Sequence, residues 1–153
     1  MSYINKKGKT TSKRLMIIRQ QASDVIAYHE IKTTLTKAKE TQKRVEKMIT
    51  WAKDNTVANH RLANRYLVNT QKLTTDQLLH HLFNDIGPAF KNRNGGYTRV
   101  LKLGKRIGDS TEMAILQLVD KVNVYKPKPV KAKKPAKVQK PVAAKVEAQP
   151  AQK

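Results

Sequence analysis

The chain has 153 residues and a formal net charge of +21, from 32 Lys and Arg against 11 Asp and Glu, and it contains no cysteine. Its length argues for one domain, and the missing cysteines exclude disulfides, thiolate catalysis and Cys-based zinc or iron–sulfur sites. So large a positive balance opposes compaction by self-repulsion and calls for a polyanionic partner: nucleic acid, anionic lipid or acidic protein.

Residues 1–11 read as a basic arm, with Lys6, Lys7 and Lys9 among hydroxyls and a glycine and no acid. Ser12 suits the N-cap of a first helix of about four turns, with Leu15, Ile18, Ala22, Val25 and Ile26 on one stripe and Arg14, Gln21, Asp24 and Tyr28 opposite. The aliphatic run Leu15–Ile18 falls far short of a signal-peptide core or a membrane span, which makes a soluble cytoplasmic protein the default. A brief strand follows in "HEIKTTL".

A second helix starts near Thr34–Thr36, keeps Leu35, Ala38, Val45, Met48, Ile49 and Ala52 at helical spacing, and breaks at Asp54–Asn55. "VANHRLANRYLV" reads as a shorter third helix. The fourth opens on a capping box, Thr74 with Gln77, and carries Leu78, Leu79, Leu82, Phe83 and Ile86; Gly87–Pro88 is expected to stop it. Gly95–Gly96 then admits a tight turn, "YTRVLKL" alternates as a strand, and a loop from Gly104 to Thr111 leads to a last strand in "EMAILQLV". The order α-β-α-α-α-β-β predicts a two-layer α+β domain over residues 12–120, four helices on a small three-stranded mixed sheet. Residues 121–153 form a tail, disordered by composition: from Lys126 on it holds nine Lys, one Glu and five of the chain's six Pro.

Catalytic and metal readings find little support. His80 and His81 are neighbours on a helix, so they point about 100° apart and cannot grip one ion, and His29 and His60 lie on other elements; surface or partly buried polar roles are expected for all four. "GKT" at Gly8–Thr10 lacks the first glycine of a phosphate-binding loop, five residues before Gly8, the position being Tyr3. The carboxylates are scattered singly, and no serine sits in a nucleophile elbow. No enzyme, cofactor, metal or small-molecule substrate is expected.

The charge pattern is more informative. No carboxylate lies between Asp85 and Asp109, a stretch that holds Lys91, Arg93, Arg99, Lys102, Lys105 and Arg106. None precedes Asp24 either, while Lys6, Lys7, Lys9, Lys13, Arg14 and Arg19 accumulate. Solvated faces mix signs, so two acid-free cationic segments point to a phosphate-tracking surface. No long helix with base-reading side chains stands out, and dispersed arms and ribbons suit an irregular RNA read by shape.

"HEIKTTLTKAKE" (29–40) and "GGYTRVLKLGKRIGD" (95–109), followed by "MAILQLV" (113–119), resemble the L-seventeen family of bacterial large-subunit ribosomal proteins. "GKTTSKR" (8–14) and "VEKMITWAK" (45–53) are similar to that family's arm and long helix, so the resemblance spans about residues 3–120. It implies a non-enzymatic protein bound to large-subunit ribosomal RNA near the peptide exit tunnel, beside other ribosomal proteins and away from membranes. By position, Lys6, Lys7, Lys9, Lys13, Arg14, Arg19, Arg93, Arg99, Lys102, Lys105 and Arg106 would reach RNA, with Gly95 and Gly96 letting the ribbon approach phosphates. The arm carries Lys where many relatives would show Arg, and the tail has no equivalent in the common pattern. A free DNA-binding nucleoid or regulatory protein is the alternative, and an RNA-modifying enzyme a weaker third.

Overall fold

In a computed structural model the described residues are 8–120, so Lys6, Lys7 and the tail lie outside them. Helix α1 spans Thr11–Tyr28, strand β1 Glu30–Thr34, α2 Leu35–Lys53, α3 Val57–Asn64 and α4 Thr75–His81. Helix α4 runs on through a π-helical turn, Leu82–Ile86, into a last turn, Gly87–Ala89; strands β2 (Thr98–Lys105) and β3 (Glu112–Leu118) follow. No helix among the described residues is long and apolar enough to cross a membrane.

The three strands lie in the order β1-β3-β2, antiparallel throughout rather than mixed. A short turn joins β2 to β3, which requires antiparallel pairing. The direction of β1 is set at its root, where the His29 carbonyl accepts from the Leu118 N–H at 3.0 Å. Side chains alternate along β3, with Ala114, Leu116 and Leu118 buried toward the helices and Met113, Ile115 and Gln117 on the other face. Helix α2 is the hub: it touches α1, α3, the π turn and all three strands. Ala38, Val45, Met48, Ile49 and Ala52 are buried, as their spacing predicts, and so is Thr41.

Three helix boundaries differ from the sequence expectation, the first being α3, which ends at Asn64 rather than running on to Val68. Thr10, not Ser12, caps α1: its Oγ1 accepts from the Lys13 N–H at 3.3 Å. Three consecutive hydroxyl residues make the cap locally degenerate, and the earliest one, in extended conformation, takes the role. Gly87–Pro88 does not stop α4 but lies inside its continuation. The π turn, with the Gly87 N–H bonded to the Leu82 carbonyl, shifts the ladder just before Pro88, so the missing proline N–H falls at the start of a new turn. The capping box appears as read, with the Thr74 N–H donating to Gln77 Oε1 at 3.0 Å.

Gln21, expected on the outward side of α1, is a clasp between elements. Its Nε2 donates to Thr33 Oγ1 of β1 at 2.8 Å, and its Oε1 accepts from the Thr41 hydroxyl of α2 at 3.0 Å. One turn on, burial pushes the Asp24 carboxyl above its ordinary range, while the Gln20 amide donating to Oδ1 at 3.3 Å pulls the other way. A raised folded-state pKa means that ionised Asp24 weakens the fold: the contribution is favourable in acid and is lost as pH rises through that pKa. Asp24→Asn is therefore expected to be more stable than the parent at pH 7. Its advantage should close as pH is lowered through the carboxylate range, read from urea midpoints of the two proteins at each pH. An advantage that did not change with pH would assign the effect to packing instead.

Candidate nucleic-acid interface

The basic ribbon has a fixed root and an open tip. At the root, Lys53 at the end of α2 donates from Nζ to the Arg93 carbonyl at 2.7 Å and lies 5.5 Å from the Tyr97 ring centre. Glu46 accepts from the Thr98 hydroxyl at 3.1 Å, and Gln42 donates to the Thr98 carbonyl at 3.3 Å. Tyr97 is buried edge-on against Phe90 at 5.5 Å and 75°. Between Arg93 and Tyr97, Gly95 and Gly96 have φ of 127° and 59°, which side chains other than glycine rarely adopt. Beyond Val100 every residue from Leu101 to Ser110 is exposed. The strand is bulged between Lys102 and Gly104, which re-aims its distal half.

The ribbon cations fall into two groups. Arg93 pairs with Asp120 (Nη2 to Oδ1 3.1 Å) and Arg106 with Asp109, through Nε to Oδ1 at 3.1 Å and a second, shorter contact from Nη2 to Oδ2. Hydrogen bonds from Arg106 and from the Thr111 N–H hold the Asp109 carboxyl well below the usual carboxylate range, and the same pair keeps Arg106 more firmly protonated. These acids lie at and beyond the end of the carboxylate-free stretch, so both arginines have counter-ions that the local sequence pattern does not reveal. Arg99 lays its guanidinium against the Gln117 amide across the strand pair, Nη2 to oxygen 2.7 Å with that oxygen turned toward it. Lys102 and Lys105 are exposed and have no carboxylate within ion-pair distance among the described residues.

Of the N-terminal cations that lie among the described residues, Lys13, Arg14 and Arg19 are on α1, and Lys9 precedes it. Lys13 and Arg14 occupy the first turn of α1, where no acid offsets them and the helix dipole opposes positive charge. Arg14 donates from Nη2 to Thr11 Oγ1 at 3.1 Å, while its Nε is buried without a hydrogen-bond partner among the described residues. Lys9 is half-buried just before the helix. Arg19 sits two turns further along, its guanidinium 5.8 Å from the centre of the Tyr66 ring. No hydrogen bond, ion pair or ring contact joins these α1 cations to the ribbon among the described residues. The structure therefore presents two cationic regions rather than one.

Sequence reasoning missed a third set of residues. Arg44 of α2 also lies over Tyr66, at 5.2 Å, and Tyr66 meets Trp51 at 5.7 Å, with Lys47 at 5.3 Å over the Trp51 ring. The spacing of Arg44, Lys47 and Trp51 places them on one helical face, which was the available signal. It missed the apolar side of the ribbon too: Leu101, Leu103 and Ile107 are exposed beside the lysines. His29 and His60 are half-buried and His80 is exposed, as expected, but His81 departs from expectation. His81 is fully buried, bonded from Nδ1 to Asp85 Oδ2 at 2.6 Å and from Nε2 to His29 Nε2 at 2.9 Å.

Comparison with known proteins places this architecture. Residues 17–119 match the family described as Ribosomal protein L17. The large ribosomal subunit protein bL17 of Mycoplasma genitalium is 60% identical over 123 residues, which is 80% of this chain and all of the relative. Its counterpart in Malacoplasma penetrans is 62% identical over 119 residues, 78% of this chain and again the whole relative. That of Ureaplasma parvum is 57% identical over 119 residues, with the same shares covered. A family match across α1 to β3, with relatives of this identity covered end to end, settles membership: the chain belongs to the ribosomal protein L17 family.

Proposed function

We propose that the chain is a structural, non-catalytic constituent of the large ribosomal subunit and holds large-subunit ribosomal RNA by phosphate contacts. We infer a position near the peptide exit tunnel, among neighbouring large-subunit proteins, as the family resemblance implies. Two regions supply the contacts: Lys9, Lys13, Arg14 and Arg19 around α1, joined by Lys6 and Lys7, and the ribbon from Arg93 to Arg106. The observation that carries the reading is the exposed distal ribbon, where Lys102 and Lys105 have no carboxylate partner among the described residues. A charge left unpaired on a clamped strand is arranged for an anion that arrives from outside.

The ribbon residues then differ in what they give to phosphate. Lys102 and Lys105 offer point charges, whereas Arg93 and Arg106 must first share or release a carboxylate. Gly95 and Gly96 keep the approach free of side chains, since neither has an atom within 4 Å of a Cβ built there.

The salt dependence of binding to large-subunit RNA tests this. Each phosphate neutralised contributes roughly 0.7 to 0.9 to the slope of log K against log salt, so replacing Lys102 and Lys105 with Ala should flatten it by about 1.4 to 1.8. Arg106→Ala should flatten it less, because Asp109 already answers that charge. A slope untouched by the lysine pair would mean that the ribbon faces solvent in the complex.

A further inference from the structure

Away from the ribbon, α1, α2 and the segment after α3 enclose a cavity of about 190 Å³. Its lining includes Arg19, Arg44 and Arg65 with Tyr66 and Met48, and no carboxylate. None of the three arginines is within ion-pair distance of an acid among the described residues. Two of them rest on the face of Tyr66, at 5.8 and 5.2 Å, and Trp51 adjoins that ring. The volume lies well below the roughly 300 Å³ at which clefts for drug-sized ligands and cofactors begin. It suits one flat ring and not a dinucleotide.

We propose that this cavity receives a single unstacked nucleobase of an RNA, seated on Tyr66, with Arg19, Arg44 and Arg65 holding its flanking phosphates. The idea rests on the reading that the chain binds RNA, and adds a mode that the phosphate contacts of the ribbon lack. The incoming base takes the guanidiniums' place on the ring. Displaced, the arginines keep planar forks that bind phosphate oxygens in pairs. Aromatic rings and guanidinium planes are the surfaces on which proteins stack the splayed bases of single-stranded RNA, and stacking tolerates any base. An acidic peptide would answer the charge but would gain nothing from stacking on the Tyr66 ring. The combination of three unanswered guanidiniums with one aromatic platform therefore favours a nucleotide.

Trp51 is the chain's single tryptophan and stands beside the platform, so its emission reports occupancy. The full-length protein is titrated with a short oligoadenylate, with an abasic ribose-phosphate of equal length, and with oligoglutamate. The expected result is that oligoadenylate quenches Trp51 and binds more tightly than the abasic strand. Tyr66→Leu should weaken oligoadenylate binding by roughly 5- to 150-fold, as for one lost base stack, while Tyr66→Phe retains it. Arg44→Gln, at a half-buried position of α2, should weaken binding of oligoadenylate without shifting the thermal midpoint, which keeps the test open if Tyr66→Leu folds poorly. Equal binding of the base-bearing and abasic strands, unchanged binding by both Tyr66→Leu and Arg44→Gln, or preference for oligoglutamate would each overturn the proposal. Equal, salt-sensitive binding would leave the phosphate reading standing and remove only the pocket. No binding of large-subunit RNA by the parent protein would remove both.

Discussion

Gly87→Ala is expected to lower the thermal midpoint by roughly 10 °C, or about 3 kcal/mol, the upper end of what overpacking a core usually costs. Gly87 has ordinary helical dihedrals, so backbone freedom is not the reason. The reason is contact. A Cβ added there would stand 2.4 Å from the Ala52 carbonyl oxygen and 3.0 Å from its carbon. Those atoms belong to the backbone of α2, which is packed on both layers and cannot retreat without moving Met48, Ile49 and the strands beneath. Ala52→Gly in the same chain should fail to rescue, because it removes a methyl and leaves the carbonyl in place. Rescue, or a midpoint within about 2 °C of the parent, would show that the two helices separate easily at this crossing.

His81→Ala should cost about 3 kcal/mol, combining the cavity left by a fully buried ring with the loss of its hydrogen bonds. The ring donates from Nδ1 to Asp85, and its Nε2 then accepts from the Nε2–H of the His29 ring. His29 ends α1 in the left-handed region, φ 66°, and its carbonyl receives the Leu118 N–H. Through the bond to His29, His81 ties α4 to the corner where the first helix becomes the first strand, and the bond to Asp85 fixes its ring. Asp85→Asn should cost less than about 1 kcal/mol, since an amide oxygen can still accept and the side chain is partly in solvent. Urea denaturation of the variants checks both values. A His81→Ala loss inside about 0.5 kcal/mol would place the ring among ordinary surface substitutions, despite its burial.

Local features of the fold were legible in the sequence. The Thr74–Gln77 box needs only residues three apart, and the buried stripe of α2 needs only its own periodicity. What failed depended on tertiary partners. Gly87–Pro88 reads as a stop until the Ala52 backbone and the π turn show why a glycine precedes the proline inside a continuing helix. The direction of β1 likewise rests on a bond from His29 to Leu118, far apart in the chain.

The candidate interface divides along the same line. Exclusion of acids is a property of contiguous sequence, so the ribbon and the start of α1 could be singled out without coordinates. Arg93 and Arg106 could not be separated from Lys102 and Lys105 that way, because their counter-ions are set by turns and strand ends. For the Tyr66 platform the sequence offered only the shared helical face of Arg44, Lys47 and Trp51. The platform is assembled from α1, α2 and the end of α3, and only folding brings its arginines to one ring.

The position of β2 at the border of the sheet has a consequence for the chain before it meets any partner. Its outward side pairs with no further strand among the described residues, and exposed Leu101 and Leu103 lie along it, the combination that recruits a second copy into a shared sheet. Lys102 and Lys105 sit on the same strand, and the bulge between Lys102 and Gly104 twists the border out of line. Like charges and a broken register are how natural sheets prevent zippering. Mutual repulsion along this border thus guards newly made chains against self-association, and the guard weakens as added salt screens the charge.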